Sequence, residues 1–309
     1  GQRAARRDGL WSAGVPPTEQ PLFGLQRSDH LESPSADRRP DPVVDVDALR
    51  GGYLGLLVDL GEGFWSLRGS LRLGGLVDIG TQCALVRLAS GNFVFLDSYP
   101  LTDAIRAQVD ALTDGGTKVE AILNLHPFHT LHCEWMHSAF PQAKLYGTAR
   151  HVDHLPELPW ETLRCEHDAL AELYAEDFAF SVPRGVTLVS DDESVHFSSV
   201  LALHRASGTV HVDDTFVYLR KGFPLSLLPF TGRFGFHPTL AKALEPRAGA
   251  ADEFREWAIE LGIDWADAGC IAAAHNALLP LDAEELPELI GAALGRVKPV
   301  LDAHRAEYG

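Results

Sequence analysis

The stretch Val119-Glu120-Ala121-Ile122-Leu123-Asn124-Leu125 leads directly into His126-Pro127-Phe128-His129-Thr130-Leu131-His132. The first seven residues are mostly apolar and follow Gly115-Gly116, a pattern that predicts a buried strand. Three histidines therefore fall where that strand gives way to a loop. Neutral imidazole is a common protein ligand for zinc and also suits iron. The spacing thus predicts a metal site, because histidines that only capped backbone carbonyls would leave the distant histidines described below unexplained.

Size and charge narrow the class of protein. The chain has 309 residues, of which 46% are hydrophobic, enough for one large domain or two small ones, and we expect one domain with a tail. The formal net charge of -17 would repel phosphate backbones. We therefore expect a small-molecule substrate and no nucleic-acid partner, while the oligomeric state stays open.

Cysteine usage and hydropathy indicate the compartment. The four cysteines lack CxxC spacing, which favours neither a disulfide framework nor a thiolate zinc site. No apolar run approaches the roughly twenty residues of a membrane helix, so we expect no membrane association and a cytoplasmic location. Because residue 1 is Gly and the one methionine is Met136, targeting by a native leader stays open.

The order of predicted elements starts with residues 1–49, which are rich in Arg, Asp, Pro and Ser and predict an irregular extension. Short apolar runs punctuated by glycines between residues 54 and 96 predict consecutive hairpins. A helix capped by Thr102 follows, and Lys144–Tyr146 is a further strand. In the C-terminal part, we predict a helix from Ala251 to Leu261 ended by Gly262. A last helix, from Asp282 to His304, is expected to be broken at Pro287 and Pro299.

The histidine loop carries a family resemblance. Together with Ile122–His126 before it and Phe140–Gly147 after it, the loop resembles the metallo-β-lactamase fold superfamily, whose first metal motif is HxHxDH. The register that uses all three imidazoles matches His126, His129 and His132 and puts Leu131 where the family has an aspartate. The resemblance implies an α/β fold, a four-layer αββα sandwich over residues 50–309, with residues 1–49 as an irregular extension.

Further positions match the family's later motifs. The resemblance assigns ligand roles to His196, near a strand entrance, and to His275, which follows the apolar run Cys270–Ala274. Asp214 takes the place of the metal-bridging aspartate. Asp213 occupies the preceding glycine position and is the fallback ligand. Two adjacent carboxylates at the end of an apolar strand also cost desolvation free energy unless cations compensate them.

The resemblance also implies the ligand sets and one supporting residue. His126, His129 and His196 would hold one metal, and His132, His275 and Asp214 a second, with Asp214 bridging the two and serving as the catalytic carboxylate. Zinc, as one or two ions, is the expected metal, and iron is the alternative. Asp97, at the end of the run Phe93–Leu96, would support the metal loop without binding metal.

Hydrolysis of a small-molecule ester, lactone, thioester or amide by a metal-activated hydroxide is the function that this reading implies. Two alternatives stay open: an iron-dependent oxidative or lyase-type enzyme on the same fold, and a non-catalytic ligand-binding relative. Leu131 keeps the second alternative open, because leucine cannot coordinate a metal. His151 is a candidate substitute for the missing aspartate.

Overall fold

The computed structural model describes residues 57–69, 72–73, 77–78, 81–218, 233–274 and 277–309. In chain order the strands are β1 (Leu57–Asp59), β2 (Phe64–Gly69), β3 (Arg72–Leu73), β4 (Val77–Asp78), β5 (Thr81–Arg87), β6 (Phe93–Leu96), β7 (Val119–Leu123), β8 (Lys144–Tyr146), β9 (Phe178–Ser181), β10 (Leu201–His204), β11 (Thr209–Val212), β12 (Phe216–Tyr218), β13 (Phe234–Phe236), β14 (Cys270–Ala273) and β15 (Ala277–Pro280). The helices are α1 (Asp103–Thr113), α2 (Cys133–Ala139), α3 (Ala149–His154), α4 (Asp168–Leu173), α5 (Leu240–Ala243), α6 (Ala250–Asp264) and α7 (Glu285–Tyr308).

The strands form two main sheets. The first has the order β1-β2-β5-β6-β7-β8, and the second has the order β15-β14-β11-β10-β9. In the first sheet β1, β2, β5 and β6 pair antiparallel, as consecutive hairpins require, whereas β6, β7 and β8 are parallel. Parallel neighbours need a crossover, which α1 supplies between β6 and β7. The predicted hairpins, the Thr102-capped helix and the buried strand before the histidines are confirmed.

Three separate hydrophobic cores arrange these elements in four layers. Alternate residues of a strand point to opposite faces of its sheet. In β5, Ala84 and Val86 pack with residues of the second sheet, whereas Cys83 and Leu85 pack towards α1 and α2. A third core joins the outer face of the second sheet to α6 and α7. The predicted αββα sandwich is therefore what the chain adopts.

The two long C-terminal helices depart from the predicted boundaries. Gly262 lies inside α6 instead of ending it. A Cβ at this position would come within 3.3 Å of the Pro287 Cα of α7, so the absence of a side chain lets the two helices pack closely. Helix α7 is also unbroken. Pro287 lies in its first turn, where an N–H has no intrahelical partner. Pro299 has no backbone N–H, so the Gly295 carbonyl loses its helical hydrogen bond. Because Gly295 is exposed, water can take the place of that donor.

Two further findings bear on the sequence predictions. None of the helices in the described ranges is both long and apolar enough to cross a membrane. The predicted boundary between an extension at 1–49 and a domain at 50–309 lies outside the described residues and stays a prediction.

Candidate functional site

Three strand ends bring the site's carboxylates and imidazoles together. Asp97 follows β6, His126 follows β7 by three residues, and Asp213 and Asp214 follow β11. Strands β6 and β7 are parallel neighbours, so their carboxyl ends meet at one edge of the first sheet. The side chains of His126, Asp97, Asp213 and Asp214 are all buried, with at most 4% of the residue exposed.

Each aspartate faces one imidazole. His126 Nε2 lies 3.1 Å from Asp214 Oδ2, and His129 Nδ1 lies 2.9 Å from Asp213 Oδ2. His211 Nε2 lies 2.8 Å from Asp97 Oδ2. We call these six residues the His–Asp cluster. Buried carboxylates are costly without a cationic or N–H partner, and the pairing gives each of the three such a partner.

In the pair formed by His129 and Asp213, the pKa values of the two partners shift in opposite directions. Burial lowers the pKa of His129, but the Asp213 carboxylate outweighs burial and raises that pKa to about 9. Burial raises the pKa of Asp213, but the positive charge of His129 outweighs burial and holds that pKa well below its usual range. Both directions describe an ion pair in which a proton on His129 compensates the carboxylate.

Asp97 connects the cluster to the backbone of the histidine loop. Its Oδ1 accepts hydrogen bonds from the amide N–H groups of Leu125, at 2.7 Å, and His126, at 3.2 Å. Its Oδ2 is held by His211. Asp97 thereby fixes the point at which the loop leaves β7. His211 lies on β11, two residues before Asp213, and belongs to no sequence motif that would indicate its role.

The donor atoms fit a metal ion. His126, His129 and Asp214 offer three ligand atoms within 4.8 Å of one another, and Asp97, His211 and Asp213 form a second such group. His126 Nε2 is buried and makes no aligned hydrogen bond in the described part of the chain. Its Nδ1 accepts the Phe128 amide N–H at 3.2 Å, so a neutral ring carries its proton on Nε2. Metal binding at Nε2 would therefore shift that proton and release the Phe128 amide.

Two predicted ligands lie near the cluster but outside both groups. His132 begins α2, where its ring packs edge-on against Tyr99 with 5.3 Å between centroids. The ring of His196 lies 6.4 Å from that of His126, and its Nε2 bonds the Glu193 carbonyl at 2.6 Å. Neither belongs to a described group of mutually close ligand atoms. His275 lies outside the described residues, so its ligand role stays a prediction.

Two further positions complete the comparison with the sequence. Leu131 is 82% exposed, and its apolar side chain offers no ligand atom. His151 is fully buried, and its Nδ1 accepts the Thr148 amide N–H at 3.2 Å. Burial, followed by the charges of His126 and His129, lowers the pKa of His151 to about 3. The ring is therefore neutral with its proton on Nε2, as in His126. His151 belongs to neither group of mutually close ligand atoms in the described ranges, and its role as a substitute ligand stays a prediction.

Solved structures with a similar course of the chain are metallo-β-lactamases. FIM-1 from Pseudomonas aeruginosa, in its mono-zinc form, has a TM-score of 0.50 at 12% identity, over 81% of this chain and 99% of that chain. An enzyme from Erythrobacter litoralis with β-mercaptoethanol in its active site scores 0.49 at 18% identity, over 76% and 96%. One from Hirschia baltica scores 0.48 at 12%, over 77% and 96%. No protein-family model and no curated protein matches the sequence. At 12% identity, the likeness to FIM-1 concerns the fold alone.

Proposed function

The chain has the metallo-β-lactamase fold, and from this premise we propose that it is a metal-dependent hydrolase of a small-molecule ester, lactone, thioester or amide. The observation that carries the proposal is the group of His126, His129 and Asp214, whose ligand atoms lie within 4.8 Å of one another at the carboxyl ends of β7 and β11. The net charge of -17 adds to it, since an acidic protein is a poor partner for nucleic acid.

In this proposal His126, His129 and Asp214 hold the metal. A divalent metal ion there would polarise a substrate carbonyl and supply a nucleophile from water near neutral pH. Asp213 Oδ2 lies 2.9 Å from His129 Nδ1 and orients that ring. Asp97, oriented by His211, keeps the backbone of the histidine loop in place.

Zinc is the metal we expect. The donor set of imidazoles and carboxylates suits it, and FIM-1, which shares the fold, occurs in a mono-zinc form. The same donors suit iron, so iron in the purified protein would favour an oxidative or lyase-type reaction instead.

A non-catalytic ligand-binding protein is the second candidate, and specific observations favour it. Leu131, which the resemblance puts at the place of the motif's aspartate, is 82% exposed, and His132 and His196 make other contacts. A site with fewer metal ligands than the family's would bind metal more weakly and could serve recognition alone.

The test is elemental analysis of protein purified without added metal, followed by assays on a panel of esters, lactones, thioesters and amides. Asp214→Ala should lower zinc content and turnover by about tenfold or more, since loss even of a residue that only supports a ligand costs 10–100-fold in affinity. Asp264→Ala, which removes an exposed carboxylate from α6, is the control and should leave both unchanged. Unchanged metal occupancy in Asp214→Ala would overturn the assignment. Metal binding without turnover on any substrate of the panel would favour the non-catalytic candidate.

A further inference from the structure

Two buried polar side chains reach from the first sheet into the second. Arg68 on β2 and Gln82 on β5 are cross-strand partners, and only 3% and 1% of these residues are exposed. They share a sheet face with Phe64 and Ala84, which belong to the hydrophobic core between the sheets. That core therefore becomes polar at the end near the His–Asp cluster.

Gln82 ties three strand ends together. Its Nε2 lies 3.0 Å from the Val212 carbonyl, 2.9 Å from the Ala272 carbonyl and 3.1 Å from Asp213 Oδ1. An amide nitrogen carries two hydrogens, so one of the three bonds is shared. The amide thus reaches β11, β14 and the carboxylate that pairs with His129.

Arg68 decides which way the Gln82 amide points. Its Nη1 donates to Gln82 Oε1 at 3.1 Å and to the Ala273 carbonyl at 2.5 Å. A guanidinium has no acceptor, so the atom of Gln82 that faces it must be the oxygen. The amide hydrogens are then directed at the two backbone carbonyls and at Asp213 Oδ1, and a flipped amide would place two donors against each other.

The contacts that run from Arg68 to Gln82 continue through Asp213 to His129. Gln82 holds Asp213 Oδ1, which leaves Oδ2 directed at His129 Nδ1, 2.9 Å away. We propose that Gln82, oriented by Arg68, is a positioning residue that sets the Asp213 carboxylate against His129 and thereby the metal affinity of the site. The effect of Gln82 on metal affinity rests on the proposed function, whereas its effect on the position of Asp213 does not.

The test compares Gln82→Glu with the wild-type protein. Glutamate keeps the size of the side chain and the oxygen that accepts from Arg68, but it cannot donate to Asp213 when ionised. Ser66→Ala is the matched control, because Ser66 is also buried on β2, shares the sheet face of Arg68, and its hydroxyl finds no hydrogen-bond partner in the described structure. Gln82→Met removes both polar contacts and is used if Gln82→Glu does not fold, as judged from its thermal melt.

The first readout is cobalt(II) affinity together with the visible spectrum of the bound cobalt. Loss of a residue that supports a metal ligand typically costs 10–100-fold in affinity, and we expect that loss and an altered spectrum in Gln82→Glu. Ser66→Ala should match the wild type. In an Asp213→Ala background, Gln82→Glu should add little further loss, because its effect passes through Asp213. Wild-type affinity in Gln82→Glu, or a full additional loss in the double variant, would overturn the inference.

The second readout needs no metal and separates this inference from the proposed function. In the metal-free protein, a proton on His129 Nδ1, which lies 2.9 Å from Asp213 Oδ2, should give a proton signal by NMR that Gln82→Glu abolishes and Ser66→Ala retains. Retention of that signal in Gln82→Glu would contradict the positioning role whether or not the protein binds metal. A wild-type protein that binds no cobalt, but loses the signal in Gln82→Glu, would reject the metal centre and leave the positioning of Asp213 standing.

Discussion

Two aspartates of the His–Asp cluster lie at strained backbone positions. Asp97 has a φ of 61° and Asp214 a φ of 27°, both in the left-handed region that non-glycine residues seldom adopt. Such a conformation costs of order 1–3 kcal/mol and persists only where the surrounding structure fixes it. The amides of Leu125 and His126 hold Asp97 in place, and Asp214 follows β11 and lies 3.1 Å from His126 Nε2. The carboxylates are consequently held in place before any ligand arrives.

His204 allows a residue-scale prediction about pH. It is buried between Phe64 and Phe178, with 1% of the residue exposed, and its Nδ1 lies 2.9 Å from the Ser207 hydroxyl. Burial lowers the pKa of His204 to about 4, and the Asp177 carboxylate offsets this only in part. The unfolded chain, with a histidine pKa near 6.5, thus binds more protons between pH 4 and 6.5.

The contribution of His204 to the free energy of unfolding should therefore be complete above pH 6.5. It should fall by up to about 3 kcal/mol as the pH is lowered towards 4. In His204→Phe this contribution to the slope should vanish, as measured by urea unfolding at a series of pH values. His167→Phe, which replaces an exposed ring, is the control and should keep the wild-type slope. Parallel curves for His204→Phe and the wild type would refute the prediction.

The residues of the site were predictable from sequence in type more than in orientation. Ligand-type residues at the ends of apolar runs pointed to His126, His129 and the Asp213-Asp214 pair, which the fold brings together, and their metal-binding role stays a prediction. Spacing alone could not give the direction of a side chain. His132, at the N-cap of α2, packs its ring against Tyr99, and the His196 ring forms a hydrogen bond with the Glu193 carbonyl. Arg68 and Gln82 had no motif, since a polar residue on the inner face of a strand gains its meaning only from the facing sheet.

At the scale of elements, period-two and helical patterns located most strands and helices, and the errors came from packing between them. Gly262 signals a helix end by itself, but its real role is contact with α7. Gly185, after β9, lies against α6 in a similar way. It has a φ of +70°, and a Cβ there would come within 2.0 Å of the Ala250 carbonyl oxygen.

Gly185→Ala is therefore expected to destabilise the fold through two causes. The positive φ costs an alanine about 1–2 kcal/mol. The collision of the added Cβ with the Ala250 carbonyl oxygen also forces α6 out of its packed position. We expect a total loss of about 3 kcal/mol or more in the free energy of unfolding. Gly115→Ala is the matched control, because Gly115 has a φ of +66° and open space around the added Cβ. Denaturant unfolding should separate the two variants, and equal losses would show that the contact with α6 does not matter.

At the scale of the whole molecule, the four layers place the cluster where both sheets contribute. The first sheet supplies Asp97 and His126 and the second supplies His211, Asp213 and Asp214. A metal ion bound to His126 and Asp214 would consequently join the two halves of the sandwich. Binding to the folded state alone stabilises a protein by about 4 kcal/mol when the free metal is at 1,000 times its Kd.

For a domain of this size, 1 kcal/mol shifts Tm by about 2–4 °C, so saturating zinc should raise Tm by roughly 8–16 °C over protein treated with a chelator. Any divalent cation also screens the self-repulsion of a chain with a net charge of -17. Magnesium at the same ionic strength measures that general effect, which should be small because magnesium prefers oxygen ligands. Asp214→Ala should lose the zinc-specific shift, whereas Asp264→Ala should keep it. Equal shifts with zinc and magnesium, or a full zinc shift in Asp214→Ala, would mean that the cation does not join the two sheets at this cluster.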